Sequence, residues 1–241
     1  MRFMKSLGIF ILPVMLQGQS TNPWSNAPAT GAWNFNAGLA SIVTSAYQGT
    51  GGSQVRVVPY FSARYGPFVF SPIEGLGVRL RSGDRWSYGA FIGAGFDKRR
   101  EADSIQPELR LNAIYDLGTW DAGFSVKQRL GNTENRGLSW EGDLRYTLWE
   151  TPDLRLRSSV LVAWMDETYG RNIFGTGAGF KSIGLNINAF YTLTPRWSFI
   201  GIMGLSQLQG EAKRSPLVNR TDKMTAVVGL FTNFRDRLFY H

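Results

Sequence analysis

The 241-residue sequence contains no cysteine, and its single histidine, His241, is the last residue. The absence of cysteine excludes the disulfide framework that stabilises many small secreted domains. A serine nucleophile usually needs an imidazole base, so neither a serine–histidine dyad or triad nor a histidine-based metal site is expected. We therefore predict a non-enzymatic protein with no catalytic residue, no metal site and no cofactor.

Long apolar runs are also lacking from most of the chain. Beyond residue 20 no uninterrupted apolar stretch approaches the roughly 20 residues of a membrane helix, and the mean hydropathy is −0.16. One shorter apolar run, residues 7–16, follows the basic residues Arg2 and Lys5 and precedes the small residues of Gly18-Gln19-Ser20. This pattern is typical of a secretory signal peptide, which we assign to residues 1–20.

The rest of the chain is a series of segments in which every second residue is apolar. Between residues 108 and 117, for example, leucine, alanine and tyrosine alternate with Glu108, Arg110 and Asn112. A period of two predicts strands with one apolar and one polar face, either in a soluble sandwich or in a membrane barrel. Soluble strands have roughly 5–6 residues, whereas these alternations reach the roughly 9–11 residues that cross a bilayer.

Aromatic residues gather at the ends of these segments, as girdles at the membrane interfaces require. They are Trp86, Tyr88, Phe96, Tyr115, Trp120, Trp140, Trp149, Trp164, Tyr169, Tyr191 and Trp197. We therefore predict an all-β fold, a transmembrane up-and-down antiparallel β-barrel.

The connections alternate between long and short, as in outer-membrane barrels with long external loops and short periplasmic turns. The predicted loops are 97–104, 131–137, 169–178 and 209–221, and the turns between them are Arg81-Ser82-Gly83-Asp84, Asp116-Leu117-Gly118-Thr119, Glu150-Thr151-Pro152-Asp153 and Thr194-Pro195. A further loop at 47–53 stays outside only if residues 54–82 hold three strands, with breaks near Tyr65-Gly66-Pro67 and Ser71-Pro72. This predicts about 12 strands, with 10 as the alternative. The predicted barrel spans residues 32–234, after a periplasmic segment at 21–31 and before a C-terminal tail at 235–241.

If the apolar side chains face lipid, the charged side chains that alternate with them line the lumen. Glu141 and Asp143 could in principle serve as an acid–base pair, but segments rich in arginine and lysine flank them, so we interpret them as ionised structural partners. The pattern predicts an ionic lattice in a narrow barrel; the alternative is an anion-selective pore, because surplus lumen cations favour anions. The predicted lumen residues are Arg79, Arg81, Glu108, Arg110, Asp121, Lys127, Arg129, Glu141, Asp143, Arg145, Arg155 and Arg157.

Several ordered motifs in the second half of the chain resemble those of one family. Tyr169-Gly170-Arg171-Asn172-Ile173-Phe174-Gly175 is similar to its Tyr…Tyr-Phe-Gly-Val segment, and Leu208-Gln209-Gly210-Glu211-Ala212-Lys213-Arg214-Ser215-Pro216-Leu217-Val218 to its Leu-x-Gly-Asp-Ala-x-x-Ser-Pro-Ile/Val-Val signature. Between them, Ala178-Gly179-Phe180-Lys181 and the strand 183–193, closed by Thr194-Pro195-Arg196-Trp197, resemble its next hairpin. The family is the MltA-interacting protein/OmpV (MipA/OmpV) family of outer-membrane proteins. The chain departs from it in a basic signature loop and in a tail beyond Phe234, the expected terminal aromatic.

The resemblance implies a barrel in the outer membrane of a Gram-negative bacterium, in a family whose named member scaffolds a murein synthase and a lytic transglycosylase. We therefore expect a structural or scaffolding role linked to murein machinery, with a small anion-preferring, porin-like diffusion channel as the alternative. The expected partners are outer-membrane lipid, lipopolysaccharide and a periplasmic murein synthase or lytic transglycosylase. No nucleic-acid partner is expected, although the net charge is +8.

Strand parity makes residues 209–221 the last external loop. Pro216 fixes its own φ and biases Ser215 toward an extended conformation, so we expect part of this loop to be ordered. Lys213, Arg214 and Arg220 then face the phosphates of lipopolysaccharide or fold over the barrel mouth.

Overall fold

The structure is a computed structural model that describes residues 33–45, 53–72, 74–95, 106–131 and 136–235. The predicted signal peptide and the segment at 21–31 lie outside the described residues. So do Phe96, the predicted loop at 97–104, most of the predicted loop at 47–53, and the predicted tail beyond Arg235.

Twelve antiparallel strands close into a single barrel, in which each strand pairs with its neighbours in sequence and β1 pairs with β12. This confirms the predicted fold and the prediction of three strands within residues 54–82. The strands are β1 Trp33–Ser45, β2 Ser53–Tyr65, β3 Phe68–Ser71, β4 Gly75–Ser82, β5 Trp86–Gly95, β6 Gln106–Asp116, β7 Trp120–Arg129, β8 Gly137–Glu150, β9 Leu154–Met165, β10 Gly179–Thr192, β11 Trp197–Leu208 and β12 Asp222–Arg235. The helical parts are α1 Glu167–Tyr169, a π-helical turn at Gly170–Phe174, and α2 Gly210–Arg214. No helix among the described residues is long and apolar enough to span a membrane.

The apolar face of the barrel is its outer face. In β10, Leu185 and Ile187 are 59% and 44% exposed, whereas the alternating Asn186 and Asn188 are buried. Because side chains alternate across a strand, the exposed leucine and isoleucine of β10 point outward and the buried asparagines point into the lumen. A continuous apolar exterior on a closed sheet suits the hydrocarbon core of a bilayer, where no backbone group is left at a sheet edge.

Aromatic pairs mark the two rims of this apolar band. At the end with the short turns, Trp86 packs on Tyr115 with ring centroids 4.7 Å apart, and Trp120 packs on Tyr146 at 4.6 Å. At the opposite end, Trp164 and Phe180 pair at 5.6 Å. These cross-strand contacts stabilise the sheet where amphipathic rings favour the headgroup region.

The two ends of the barrel differ in the length of their connections. We call one the turn end, where residues 66–67, 83–85, 117–119, 151–153 and 193–196 connect the strands, and the other the loop end. At the turn end Gly118 has φ 89°, which favours glycine, and its N–H donates to Asp116 Oδ1 at 2.7 Å. At the loop end the connections 166–178 and 209–221 are long enough to fold into structures of their own.

Part of the lumen wall is apolar, a feature that the sequence interpretation missed. A buried cluster covers the inner faces of four adjacent strands, and we call it the lumen apolar cluster: Ala40, Ile42, Val58, Ile202, Val227 and Phe231. The ring of Phe231 lies close over Gly38 of the neighbouring β1, where an added Cβ would come within 2.7 Å of Phe231 Cδ1 and 2.1 Å of Leu230 O. The closing seam between β1 and β12 therefore requires glycine at this position.

Gly38→Ala is expected to lower the free energy of unfolding by about 1–3 kcal/mol, because the added methyl group overpacks the β1–β12 seam. The measurement is a urea titration of tryptophan fluorescence in detergent micelles. Gly142→Ala is the matched control, since an added Cβ there meets only Val162 Cγ2, at an ordinary 3.6 Å. Equal destabilisation by both substitutions would contradict the explanation.

Candidate functional site

The inner face of β6–β9 carries buried ion pairs. Lys127 Nζ lies 2.5 Å from Glu141 Oε2, and the two side chains are 2% and 5% exposed. Arg157 of β9 reaches past β8 to Asp121 of β7, with Nη1 and Oδ2 3.0 Å apart. Such pairs offset the cost of removing both charges from water only when their geometry and further hydrogen bonds are good.

Two further pairs form within single strands. Arg145 Nε lies 2.5 Å from Asp143 Oδ2, and Arg110 Nη2 lies 3.0 Å from Glu108 Oε1. The members of each pair are two residues apart and share the inner face of their strand. The structure therefore brings together eight of the twelve predicted lumen residues in four ion pairs, although Asp143 pairs within its own strand instead of with a neighbouring one.

The remaining predicted lumen residues lie nearer the ends of the barrel. Arg155 pairs with Glu150 at the turn end, where their side chains are 32% and 48% exposed, so it is not part of a buried lattice. Arg81 is also exposed at the turn end and donates to Asp84 O at 2.7 Å. The sequence interpretation placed Arg81 and Arg155 in the lumen. Each lies next to the turn-end terminus of its strand, so its side chain is exposed at the rim instead.

Arg79 and Arg129 have partners that the strand pattern does not reveal. Arg79 pairs with Glu74, which lies in the connection between β3 and β4 and falls outside any alternation. The Arg129 guanidinium lies 5.5 Å from the ring centroid of Tyr169. The sequence indicates a strand break near Ser71-Pro72, but nothing in it indicates that the Glu74 side chain points toward Arg79.

The two long connections at the loop end pack on one another. Tyr169 and Phe174 of the first connection and Ala212 of the second are buried, at 1%, 1% and 0% exposure. With Met165 and Ile173 they form a buried group that we call the loop cluster. Tyr169 was predicted to be an interface aromatic and is instead enclosed by this cluster, because the chain turns inward directly after β9.

Hydrogen bonds connect the loop cluster to the barrel wall. Lys181 Nζ of β10 donates to the Tyr169 hydroxyl at 2.8 Å and lies 4.7 Å from its ring centroid. Together with Arg129 of β7, Lys181 holds Tyr169 between two well-separated strands. The loop at 166–178 therefore leans over the lumen and covers part of the mouth on the β7–β10 side.

Ser215 fastens the second connection to the first. Its hydroxyl donates to Phe174 O and accepts from Leu217 N–H at 3.1 Å. Ser215 has φ −59° and ψ 131°, the extended conformation that a following proline favours. Ser215 is 4% exposed, so among the five candidate external loop residues it alone is buried.

The other four candidate loop residues are exposed at the loop end. They are Lys213, Arg214, Pro216 and Arg220. The Arg214 side chain is 78% exposed and lies 3.1 Å from Glu211 Oε1, a contact worth little in water. Exposed cations at this position are accessible to anionic groups outside the barrel. Among the described residues no group of three or more carboxylate, imidazole or thiol side chains is arranged to hold a metal ion.

The closed sheet, the apolar exterior and the aromatic rims define a transmembrane β-barrel of the outer-membrane class. The model of the family described as MltA-interacting protein MipA matches residues 37–234. The chain belongs to this family and is a protein of the Gram-negative outer membrane.

Solved barrel structures share the general architecture at low identity. The NanC porin is 10% identical with a TM-score of 0.48, covering 80% of this chain and 98% of its own. An outer membrane channel from Pseudomonas putida F1 is 12% identical with a TM-score of 0.47, covering 89% and 100%. The KdgM porin is 8% identical with a TM-score of 0.43, covering 84% and 99%. No curated protein sequence matches this chain.

Glu141→Gln is expected to lower the free energy of unfolding by about 3–5 kcal/mol, because it leaves the buried Lys127 ammonium without its carboxylate. Urea unfolding in micelles measures the loss. The control is Glu150→Gln, which removes the exposed partner of Arg155 and is expected to cost less than about 1 kcal/mol. Similar losses in the two variants would show that Lys127–Glu141 is no more than a surface contact.

Ser215→Ala is expected to loosen the loop cluster, because the buried Phe174 carbonyl loses its donor. Limited trypsin digestion of the folded barrel should then cut faster after Lys213, Arg214 or Arg220. Asn219→Ala, at an exposed position of the same loop, is the control and should cut at the wild-type rate. Unchanged cleavage in Ser215→Ala would mean that the loop is held in place by other contacts.

Proposed function

We propose that this protein is a non-enzymatic structural barrel of the outer membrane that acts as a scaffold for periplasmic murein machinery. The observation that carries the proposal is the internal neutralisation of the lumen. Every carboxylate that the strand pattern assigned to the lumen has a basic partner within 3.0 Å. A wall whose charges are satisfied by one another adds rigidity and offers little to a passing solute.

The loop end supports the same proposal. Tyr169, held by contacts with Arg129 and Lys181, covers part of the mouth, and Ser215 fastens the neighbouring loop to it. A conducting pore requires an open path through the lumen. The arrangement therefore favours a structural role over the alternative, a small anion-preferring channel, which rests on the surplus of lumen cations.

The partner in this proposal comes from the family, whose description names an interaction with MltA, a murein transglycosylase. Such an enzyme reaches a barrel of this class from the periplasm, where the short turns lie. Leu117 and Leu193 are 51% and 50% exposed in two of the turns at the turn end. Exposed leucines on a rigid rim offer apolar contacts to a docking protein.

Planar-bilayer recording tests the structural role. Purified protein is expected to give no steady, discrete conductance, because the lumen side chains and the 166–178 loop obstruct the path. Tyr169→Ala should raise any residual conductance if the loop is part of the obstruction. Steady steps in the wild-type protein, with reversal potentials that indicate anion preference, would support the channel alternative instead.

Co-purification with periplasmic murein enzymes tests the scaffolding role. A lytic transglycosylase or a murein synthase is expected to bind the wild-type barrel, and Leu117→Glu with Leu193→Glu should weaken that binding at least severalfold. Leu217→Glu is the matched control, because Leu217 is 41% exposed but lies at the loop end. Binding that is lost in the control and kept in the turn-end variant would place the partner on the wrong face and overturn the proposal.

A further inference from the structure

Three aromatic side chains form a row on the outer face of the barrel at the loop end. Trp164 of β9 is opposite Trp140 of β8 on one side and Phe180 of β10 on the other. Ala163 and Lys181, which are neighbours of two of these residues along the chain, are buried, so the rings point outward. We call Trp140, Trp164 and Phe180 the aromatic row. Because such rings favour the headgroup level, the row marks the outer edge of the hydrocarbon on this side of the barrel.

The two long connections of the loop end begin directly beyond the aromatic row. After Trp164 the chain turns at Asp166, whose N–H donates to Leu138 O at 3.0 Å. The second connection starts against β10, since an added Cβ at Gly210 would come within 2.7 Å of Phe180 O. Side chains of both connections therefore lie next to the headgroup layer of the outer leaflet.

These connections carry four exposed cations. They are Arg171, Lys213, Arg214 and Arg220. Two of the four pair with glutamates of their own helical turns, in exposed contacts that are worth little in water. No carboxylate among the described residues forms an ion pair with Lys213 or Arg220. The four side chains are therefore available to an anion that offers stronger, charge-assisted hydrogen bonds, such as a phosphate.

The backbone that carries two of these cations is anchored on both sides. Ala212, which precedes Lys213, is 0% exposed in the loop cluster. Ser215, which follows Arg214, donates its hydroxyl to Phe174 O. A backbone that is already ordered loses less conformational entropy when a ligand fixes the side chains, so this segment is suited to binding.

The barrel wall below the aromatic row is apolar and open to lipid. Ile183 and Leu185 of β10 are 40% and 59% exposed. Leu205 of β11 lies opposite Leu185 and is 50% exposed. Acyl chains can therefore lie along this outer face without displacing any side chain from the lumen. A ligand with phosphates at one level and acyl chains below them matches both parts of the surface.

We propose that the four cations, the aromatic row and the apolar wall below it form a binding site for lipid A, the phosphorylated glycolipid that anchors lipopolysaccharide in the outer leaflet. The guanidinium and ammonium groups donate hydrogen bonds to its phosphates. Its sugars lie at the level of the aromatic row, and its acyl chains lie against the wall. A periplasmic scaffold acts from the turn end, so this proposal stands apart from the proposed function and either can fail without the other.

Competition between two forms of lipid A tests the site. The full barrel, in mild detergent with EDTA to remove divalent cations, is incubated with equal amounts of diphosphorylated and monophosphorylated lipid A. The two forms share their sugars and acyl chains and differ in one phosphate. Native mass spectrometry measures which form stays bound. Bound lipid is expected to be enriched severalfold in the diphosphorylated form, because the cations can bind the second phosphate.

A variant that combines Lys213→Gln, Arg214→Gln and Arg220→Gln is expected to lose this preference and most of the bound lipid A. All three side chains are exposed, so the barrel is expected to fold normally. Resistance of the folded band to unheated SDS checks this. If the triple variant does not fold, Lys213→Gln with Arg220→Gln takes its place and is expected to lower the preference.

The matched control combines Arg81→Gln, Arg85→Gln and Arg196→Gln. It removes the same charge from three exposed positions at the turn end, away from the aromatic row. Diphosphorylated lipid A retained by the wild type and the control but lost from the loop variant supports the proposal.

Three outcomes would overturn the proposal. Equal binding of the two forms by the wild type would mean that the cations do not recognise phosphate. The absence of any bound lipid A would mean that the surface holds no such ligand. Equal loss from the loop variant and the turn-end control would mean that net charge alone attracts the lipid, with no site at the loop end.

Discussion

In the hydrocarbon core of a bilayer no water is available to backbone N–H and C=O groups, so each strand needs a neighbour on both sides. The closed order of twelve strands meets this need, and the β1–β12 seam supplies the last neighbour. The apolar exterior, the aromatic rims and the alternation of side chains are consequences of that closure. Along residues 53–62, β2 pairs with β1 and with no other described strand, since β3 is too short to accompany it.

The lumen is divided into two regions of opposite character. On β6–β9 the inward charged side chains pair with one another, whereas β11, β12, β1 and β2 carry the lumen apolar cluster beside buried polar residues such as Asn36 and Thr225. The ion pairs on β6–β9 are stable only with good geometry, whereas the lumen apolar cluster depends on side chains of complementary shape. Paired charges and packed apolar side chains of this kind also stabilise protein interiors.

Most of the fold could be predicted from the sequence, because lipid on one face and lumen on the other impose a strong period of two. The strands and the turns between them followed from this signal, and the strand number and the three strands within residues 54–82 followed from the alternation of long and short connections. Individual contacts did not. Asp143 forms an ion pair with Arg145 of its own strand instead of with a residue of a neighbouring strand. Glu74, the partner of Arg79, lies in a connection where no alternation of side chains indicates its direction. The lumen apolar cluster was missed because inward Ala, Ile and Val residues weaken the alternation of apolar and polar residues without indicating which apolar residues point into the lumen.

The loop cluster has a consequence for assembly. Ser215 and Phe174 are 41 residues apart, and their contact requires β9–β10 and β11–β12 to be in place together. Tyr169 must in turn find Lys181 on β10 and Arg129 on β7. These contacts therefore require β7 and β9–β12 to be in their folded arrangement. The two motifs that resemble those of the family therefore join strands that are distant in sequence, and protection of their loops from protease reports that this part of the barrel is folded.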